Sequence, residues 1–352
     1  MAVSKHFDGR SVVRWGIIGC GDVTEVKSGP GFRNAEGSRL VAVMRRNGAL
    51  AADYARRHGV PRWYDDAEAL IADPEVDAVY IATPPDSHES YALAVAAAGK
   101  PAYVEKPMAR HGPECDRMVD AFAAAKLPLF VAFYRRRLPC FVRVKELVQS
   151  GSLGSVTGAT YRLAEPHHLK GPMWRVDATV AGAGHFLDVG SHALDLLDFF
   201  LGPLTYMEGA ASNRASSYEV EDTVSFGFRA DGVRGSMECD FASETRRDIM
   251  RITGTEGSVA FPVFTSEPLS VENARGTERI DLPYPPHVGQ PLIQSVVDDL
   301  LGRGECPSTG ESARRTSRLM DRVLSSFYGG RDDAFWTRPA TWPGRRVAAP
   351  LG

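Results

Sequence analysis

Five short apolar segments, separated by helix-like stretches, fill the first third of this chain. Residues 12–18, 39–44, 76–82, 101–104 and 128–133 read as buried strands. Residues 49–58, 65–72, 87–98 and 113–125 read as the helices between them. Strands alternating with helices predict a parallel sheet covered on both faces. Gly59 and Gly99 stand where C-terminal helix glycines belong, and Asp86-Ser87 where an N-terminal cap belongs. Ligands in such sheets bind at the carboxyl ends of the strands. The residues just past each strand are therefore the ones to weigh.

After about residue 136 the texture changes. Residues 141–149 form one more predicted helix, and strands follow. Val233, Gly235, Met237, Cys239 and Phe241 alternate with Arg234, Ser236, Glu238 and Asp240, and Val224, Phe226 and Phe228 alternate likewise. A period of two means one buried and one polar face, as in antiparallel strands covered on one side. Such an open sheet also offers a face for a homodimer or homotetramer. Helices return at about 290–302 and 311–327. From Arg331 the prolines at 339, 343 and 350 predict an extended tail, either a clasping arm or a disordered end. The expected division is 1–135, 136–330 and 331–352.

The formal net charge of −3 argues against a dominant nucleic-acid or polybasic membrane role. Five cysteines, no two at CxxC spacing, argue against a disulfide scaffold or a zinc site. Residues 1–10 show no apolar signal region, and no apolar run approaches the ~20 residues that span a bilayer. The expectation is a soluble cytoplasmic protein with no metal, acting on a small molecule.

Gly19-Cys20-Gly21-Asp22-Val23-Thr24 follows the first strand and partly matches G-x-G-x-x-[G/A]. The first glycine permits the tight turn, and the second lets backbone approach a pyrophosphate. Thr24 replaces the third glycine, and Ser28-Gly29-Pro30-Gly31 interrupts the expected helix. NAD sites place Asp or Glu at the end of the second strand. This chain has Met44-Arg45-Arg46-Asn47 there. Two guanidiniums suit a 2′-phosphate, so NADP(H) is expected over NAD(H); a solvated basic edge is the plainer reading.

Thr83-Pro84-Pro85-Asp86-Ser87-His88 leaves the third predicted strand, where prolines force a turn at the sheet's carboxyl edge. His88 there is either a cofactor contact or a histidine bonding nearby backbone. Glu105-Lys106-Pro107 leaves the fourth. A partly desolvated lysine has a lowered pKa and transfers protons near neutrality. A third element, Gly182 to Asp195, holds Asp188 and His192 four apart, sharing a side if a helix starts near them. They are either an acid/base pair beside a carbinol, or a helix cap and a core histidine. Glu165, His167, His168, Lys170 and Arg175 form a polar segment suited to a hydroxylated substrate or to a solvated loop. Arg135-Arg136-Arg137 reads as basic surface or as a site for an acidic sugar.

These elements, in this order, resemble the glucose–fructose oxidoreductase / inositol dehydrogenase / rhizopine-catabolism (Gfo/Idh/MocA) family, over residues 12–328. The resemblance implies an N-terminal Rossmann domain and a C-terminal α+β domain whose open, mainly antiparallel sheet forms the oligomer interface. It implies NAD(P)-dependent hydride transfer on sugars, cyclitols or related polyols. Lys106 becomes the acid/base, with Asp188 and His192 lining the substrate site and Tyr134 facing the same cleft. Glu105 and Pro107 shape the strand end near the nicotinamide, and Trp174-Arg175 lie near the cofactor. A ketosugar or anhydro-ketosugar is the first substrate expected. Dihydrodiol oxidation, a redox-cofactor-dependent glycosidase and a non-catalytic NADP sensor are the alternatives.

Overall fold

The computed structural model describes residues 7, 9–165 and 173–345. In chain order the first elements are β1 (Val13–Ile18), α1 (Asp22–Val26), α2 (Ser28–Asn34), β2 (Ser38–Met44), α3 (Gly48–His58), β3 (Arg62–Tyr64) and α4 (Ala67–Ala72). They continue with β4 (Ala78–Ile81), α5 (His88–Ala97), β5 (Ala102–Val104), α6 (Gly112–Ala125) and β6 (Leu129–Val131). The sheet runs β3-β2-β1-β4-β5-β6, every pair parallel. The order reverses between β1 and β4, which makes the crevice at their carboxyl ends the natural ligand position.

The helix expected after the glycine turn is interrupted, as read: α1 ends at Val26, and the Ser28–Gly31 run opens the separate helix α2. A Cβ on Gly29 would sit 2.0 Å from Thr24 O, and one on Gly31 2.6 Å from Ile293 Cδ1. The glycines of that run serve close packing. One detail differs from the sequence reading: Ser87 is not a side-chain cap of α5, because its hydroxyl turns back to Thr83 Oγ1 at 2.8 Å and to Pro84 O.

The chain continues with α7 (Pro139–Gln149), β7 (Val156–Ala164), α8 (Ala178–Ala181), a π turn at Phe186–Gly190 and α9 (Ser191–Leu201). Next come β8 (Thr205–Ser212), β9 (Thr223–Ala230), β10 (Val233–Asp240), β11 (Arg247–Gly254), β12 (Gly257–Phe261), β13 (Leu269–Asn273) and β14 (Gly276–Ile280). α10 (Gln290–Leu300) and α11 (Gly310–Tyr328) close the series. The second sheet runs β14-β13-β12-β11-β7-β10-β9-β8, antiparallel except between β7 and β10. Met237, Cys239 and Phe241 are buried while Arg234, Ser236 and Glu238 are exposed, as the alternation predicts.

The division at residues 135 and 330 does not hold. One compact unit comprises Met1–Ala109, Glu114–Leu138 and Pro285–Arg314; the other comprises Arg110–Pro113, Pro139–Tyr284 and Arg315–Gly352. Helix α10 belongs to the first unit. Its Leu292, Ile293, Val296 and Val297 join the core around Trp15, Phe32 and Tyr80. An amphipathic stripe states that a helix buries one side, not which sheet receives it. The described part of the tail is also not extended. It makes 3-10 turns at Phe335–Thr337 and Pro339–Thr341, and Phe335 and Trp342 are buried against Tyr328. Aromatic burial outweighs what the prolines alone suggest.

Candidate active site

In the first unit a cleft of about 360 Å³ opens at the carboxyl ends of β1, β2 and β4. Gly19, Cys20 and Gly21 line it beside Arg45, Arg46, Thr83 and Pro84. Gly19 has φ +91°, and its amide and that of Cys20 donate to Met44 O at 2.9 and 3.1 Å. Those two amides are used in holding the turn. A helix leaves its first amides without internal acceptors, so Gly21, Asp22 and Val23 carry the amides open to an anion. The side chains of Asp22 and Val23 do not line the cleft. The Cys20 thiol is buried and pushed up to about 11, chiefly by that burial. Thr24 is fully buried; its hydroxyl donates to Gly21 O at 2.7 Å and its carbonyl accepts from Tyr54. The departure from the third glycine thus faces the core.

Arg45 and Arg46 are exposed, and among the described residues neither forms an ion pair. Neighbouring arginines behave otherwise: Arg57 grips Glu25 and Asp53, and Arg14 grips Asp77. Arg135 and Arg136 are buried, with Arg136 donating to Pro307 O at 2.9 Å, so neither is basic surface, while Arg137 is exposed. Tyr134 is half-buried and packs on the unit's core beneath Arg135.

The side chains of His88 and Glu105 are both engaged within the turns after β4 and β5. His88 is fully buried, with Nε2 2.7 Å from Thr83 O and Nδ1 3.1 and 3.2 Å from Pro107 O and Met108 O. It ties the turn after β4 to the turn after β5. Burial lowers its pKa against the pull of those carbonyls. His88→Ala is expected to cost about 1–3 kcal/mol through stranded buried acceptors. That is read as a lower urea midpoint at unchanged slope. An unchanged midpoint with weakened dinucleotide binding would restore the cofactor role. Glu105 accepts from the buried Tyr80 hydroxyl at 2.6 Å and from the Lys106 amide at 3.1 Å. Pro107 is buried behind a cis Lys106–Pro107 peptide, and Lys106 is half-buried.

In the second unit Asp188 lies in the π turn and His192 in the first turn of α9. Gly190, not Asp188, occupies the cap position of α9. Asp188 accepts from Arg175 Nε at 3.1 Å, and the Arg175 guanidinium lies 4.6 Å from the Trp174 ring centre. The structure therefore joins Trp174, Arg175 and Asp188 in one group. His192 is buried, with its ring centre 6.1 Å from that of Phe264 and the two planes nearly perpendicular. Leu194 and Leu197 are buried, but so are Asp195 and Asp198, so α9 is buried nearly all round. Trp174 also lines a second cleft, of about 460 Å³, with Trp336 and Trp342. The sequence reading missed both of those indoles. Glu165 donates its amide to Asp240 O, while His167, His168 and Lys170 lie outside the described residues.

Residues 13–133 match the family model described as an oxidoreductase family with NAD-binding Rossmann fold, and residues 141–260 match the Gfo/Idh/MocA C-terminal domain. A protein named an oxidoreductase from Formosa agariphila is 37% identical over 318 residues, 88% of this chain and 98% of that one. The chain belongs to the Gfo/Idh/MocA oxidoreductase family. Another member, a 1,5-anhydro-D-fructose reductase from Ensifer adhaerens, is 29% identical over 85% of this chain and 91% of its own. A levoglucosan dehydrogenase solved with NADH and levoglucosan shares the fold, with a TM-score of 0.81 over 89% of this chain and 96% of that one at 24% identity. Among the described residues of this Gfo/Idh/MocA chain, no helix is long and apolar enough to cross a membrane.

Proposed function

We propose that this oxidoreductase uses NADP(H) and acts on a secondary carbinol, or its ketone, of a sugar, anhydrosugar or cyclitol. The observation that carries the cofactor choice is the pair of exposed guanidiniums, Arg45 and Arg46, on the wall of the glycine-turn cleft, with no ion pair among the described residues. A 2′-phosphate takes charge-assisted, bidentate contacts from such groups. The cleft fits a dinucleotide in a second respect. A Cβ on Gly21 would meet nothing nearer than Gly19 O at 4.0 Å, so that side is open for a close-lying pyrophosphate.

When bound, a nicotinamide supplies or accepts the hydride. The chain's own part is the proton and the grip on substrate. Lys106, past the end of β5, is the acid/base at the reacting oxygen. Asp188 and His192 hold the hydroxyls, with Arg175 fixing the Asp188 carboxylate. The sugar class draws support from two relatives, named for 1,5-anhydro-D-fructose and levoglucosan. The indoles of Trp174, Trp336 and Trp342 add flat apolar walls suited to a ring. The exposed polar face of the second sheet, with Arg162 paired to Glu238, is the surface proposed for a homodimer or homotetramer.

The test is turnover at 340 nm on ketosugars with NADPH and on sugars, cyclitols and dihydrodiols with NADP⁺, each repeated with the NAD pair. Replacing both Arg45 and Arg46 with alanine is expected to lower kcat/KM for NADPH by on the order of 100-fold while sparing NADH. That follows from losing charge-assisted hydrogen bonds at one decade per 1.4 kcal/mol. A wild-type preference for NADH would overturn the cofactor reading. Tightly retained cofactor with no net consumption would point to a glycosidase instead.

A further inference from the structure

Arg331 lies in the segment read from sequence as a loose tail, yet its side chain has no exposed surface. Nε donates to Asp321 Oδ1 at 2.7 Å, Nη1 to Gly182 O at 2.8 Å and Nη2 to Arg110 O at 2.6 Å. The rings of Tyr328 and Phe335 lie 5.1 and 4.5 Å from the guanidinium carbon. A buried cation is costly unless paired and fully hydrogen-bonded, and here the planar fork is used on three sides. Its carboxylate partner is held in turn, since Asp321 Oδ2 accepts the Gly112 amide at 2.6 Å.

Gly182 opens the loop that leads to Asp188 and His192. Its φ is +88°, and a Cβ there would lie 2.4 Å from Arg110 O. Two residues on, the Gly184 amide donates to both carboxylate oxygens of Glu221 at 3.1 Å. A Cβ on Gly184 would lie 2.3 Å from Glu221 O. Glu221 is fully buried and also accepts from the Tyr328 hydroxyl. Tyr328 thus serves both grips, with its hydroxyl on Glu221 and its ring beside Arg331. The loop is seized at a carbonyl and at an amide two residues apart, by side chains distant in sequence. Neither grip belongs to a helix or sheet ladder.

We propose that Arg331, with Glu221 behind it, is a positioning residue that fixes the 182–184 loop and so presents Asp188 and His192 to the substrate. The proposal rests on the reading that Asp188 and His192 hold the substrate. Arg331→Lys keeps the charge but loses the fork. It is expected to raise KM for the carbonyl substrate about tenfold, the worth of one charge-assisted hydrogen bond. NADPH affinity and kcat should change much less. Amide hydrogen exchange should accelerate over 182–192, while the amides of β7 and β10 stay as in the wild type. Should Arg331→Lys not fold, Tyr328→Phe removes one donor from Glu221, and faster exchange at Gly184 is expected. Unchanged exchange over 182–192 in the folded variant overturns the clamp, and so does uniform acceleration through the unit. A wild-type protein inactive on every carbonyl compound would remove the functional reading instead, and hydrogen exchange alone would then decide whether the clamp exists.

Discussion

Lys106→Ala is expected to lower turnover by about 10²–10⁴-fold, the usual contribution of a positioned proton donor or acceptor. NADPH affinity should stay within about twofold, because the bonds that join the Lys106 amide, Glu105, Tyr80, Pro107 and His88 do not pass through the lysine side chain. The Lys106 amide is held by Glu105, Glu105 by Tyr80, and Pro107 O by His88. Truncation beyond Cβ leaves those bonds intact, so the loss should fall on kcat. Lys106→Arg sharpens the test. A guanidinium keeps the positive charge but does not give up its proton at working pH. It should therefore be nearly as slow as the alanine variant if Lys106 moves a proton, and nearly as fast as wild type if it supplies charge alone. Steady-state rates at 340 nm, with dinucleotide binding followed separately by fluorescence, read both quantities. Full activity in Lys106→Ala would end the acid/base assignment.

Most of the first sheet was legible because its inner strands are largely buried. Trp15 to Ile18 and Val41 to Met44 are continuous buried runs, and parallel strands covered on both faces read that way. β3 was not legible: it is a three-residue edge strand whose Trp63 is about half exposed. At the site, sequence position located the strand exits but not the direction in which side chains leave them. His88 sits where a cofactor contact sits, yet it is buried and serves as a strut, and the half-buried Glu105 is engaged by Tyr80 and the Lys106 amide. That choice depends on which buried carbonyls and hydroxyls need partners, and those come from Thr83, Met108 and Tyr80. Arg331, Trp336 and Trp342 were hidden for a related reason. A short segment rich in proline carries no period, and its value lies in contacts made far back in the chain.

The glycine turn offers a sharper dissection, because its two glycines are required for different reasons. Gly19→Ala is expected to weaken dinucleotide binding by about 10²–10³-fold, from backbone strain and steric displacement together, at one decade per 1.4 kcal/mol. At φ +91° its Cβ would lie 2.8 Å from Thr83 Cγ2 and 3.0 Å from the carbonyl carbon and oxygen of Ala82. Those backbone atoms belong to the exit of β4 and cannot give way without moving Thr83 and Pro84, which line the same cleft. The variant should therefore also melt earlier. Gly21 is different: its φ of −131° suits any residue, and its added Cβ would meet open space. Gly21→Ala should fold and melt as the wild type does, and lose binding only because its methyl group occupies the cleft side of the turn. Melting temperature and dinucleotide affinity, measured on both variants, separate the two roles. Equal stability in both, with binding intact in Gly21→Ala, would mean that the cleft at the ends of β1, β2 and β4 does not hold the pyrophosphate.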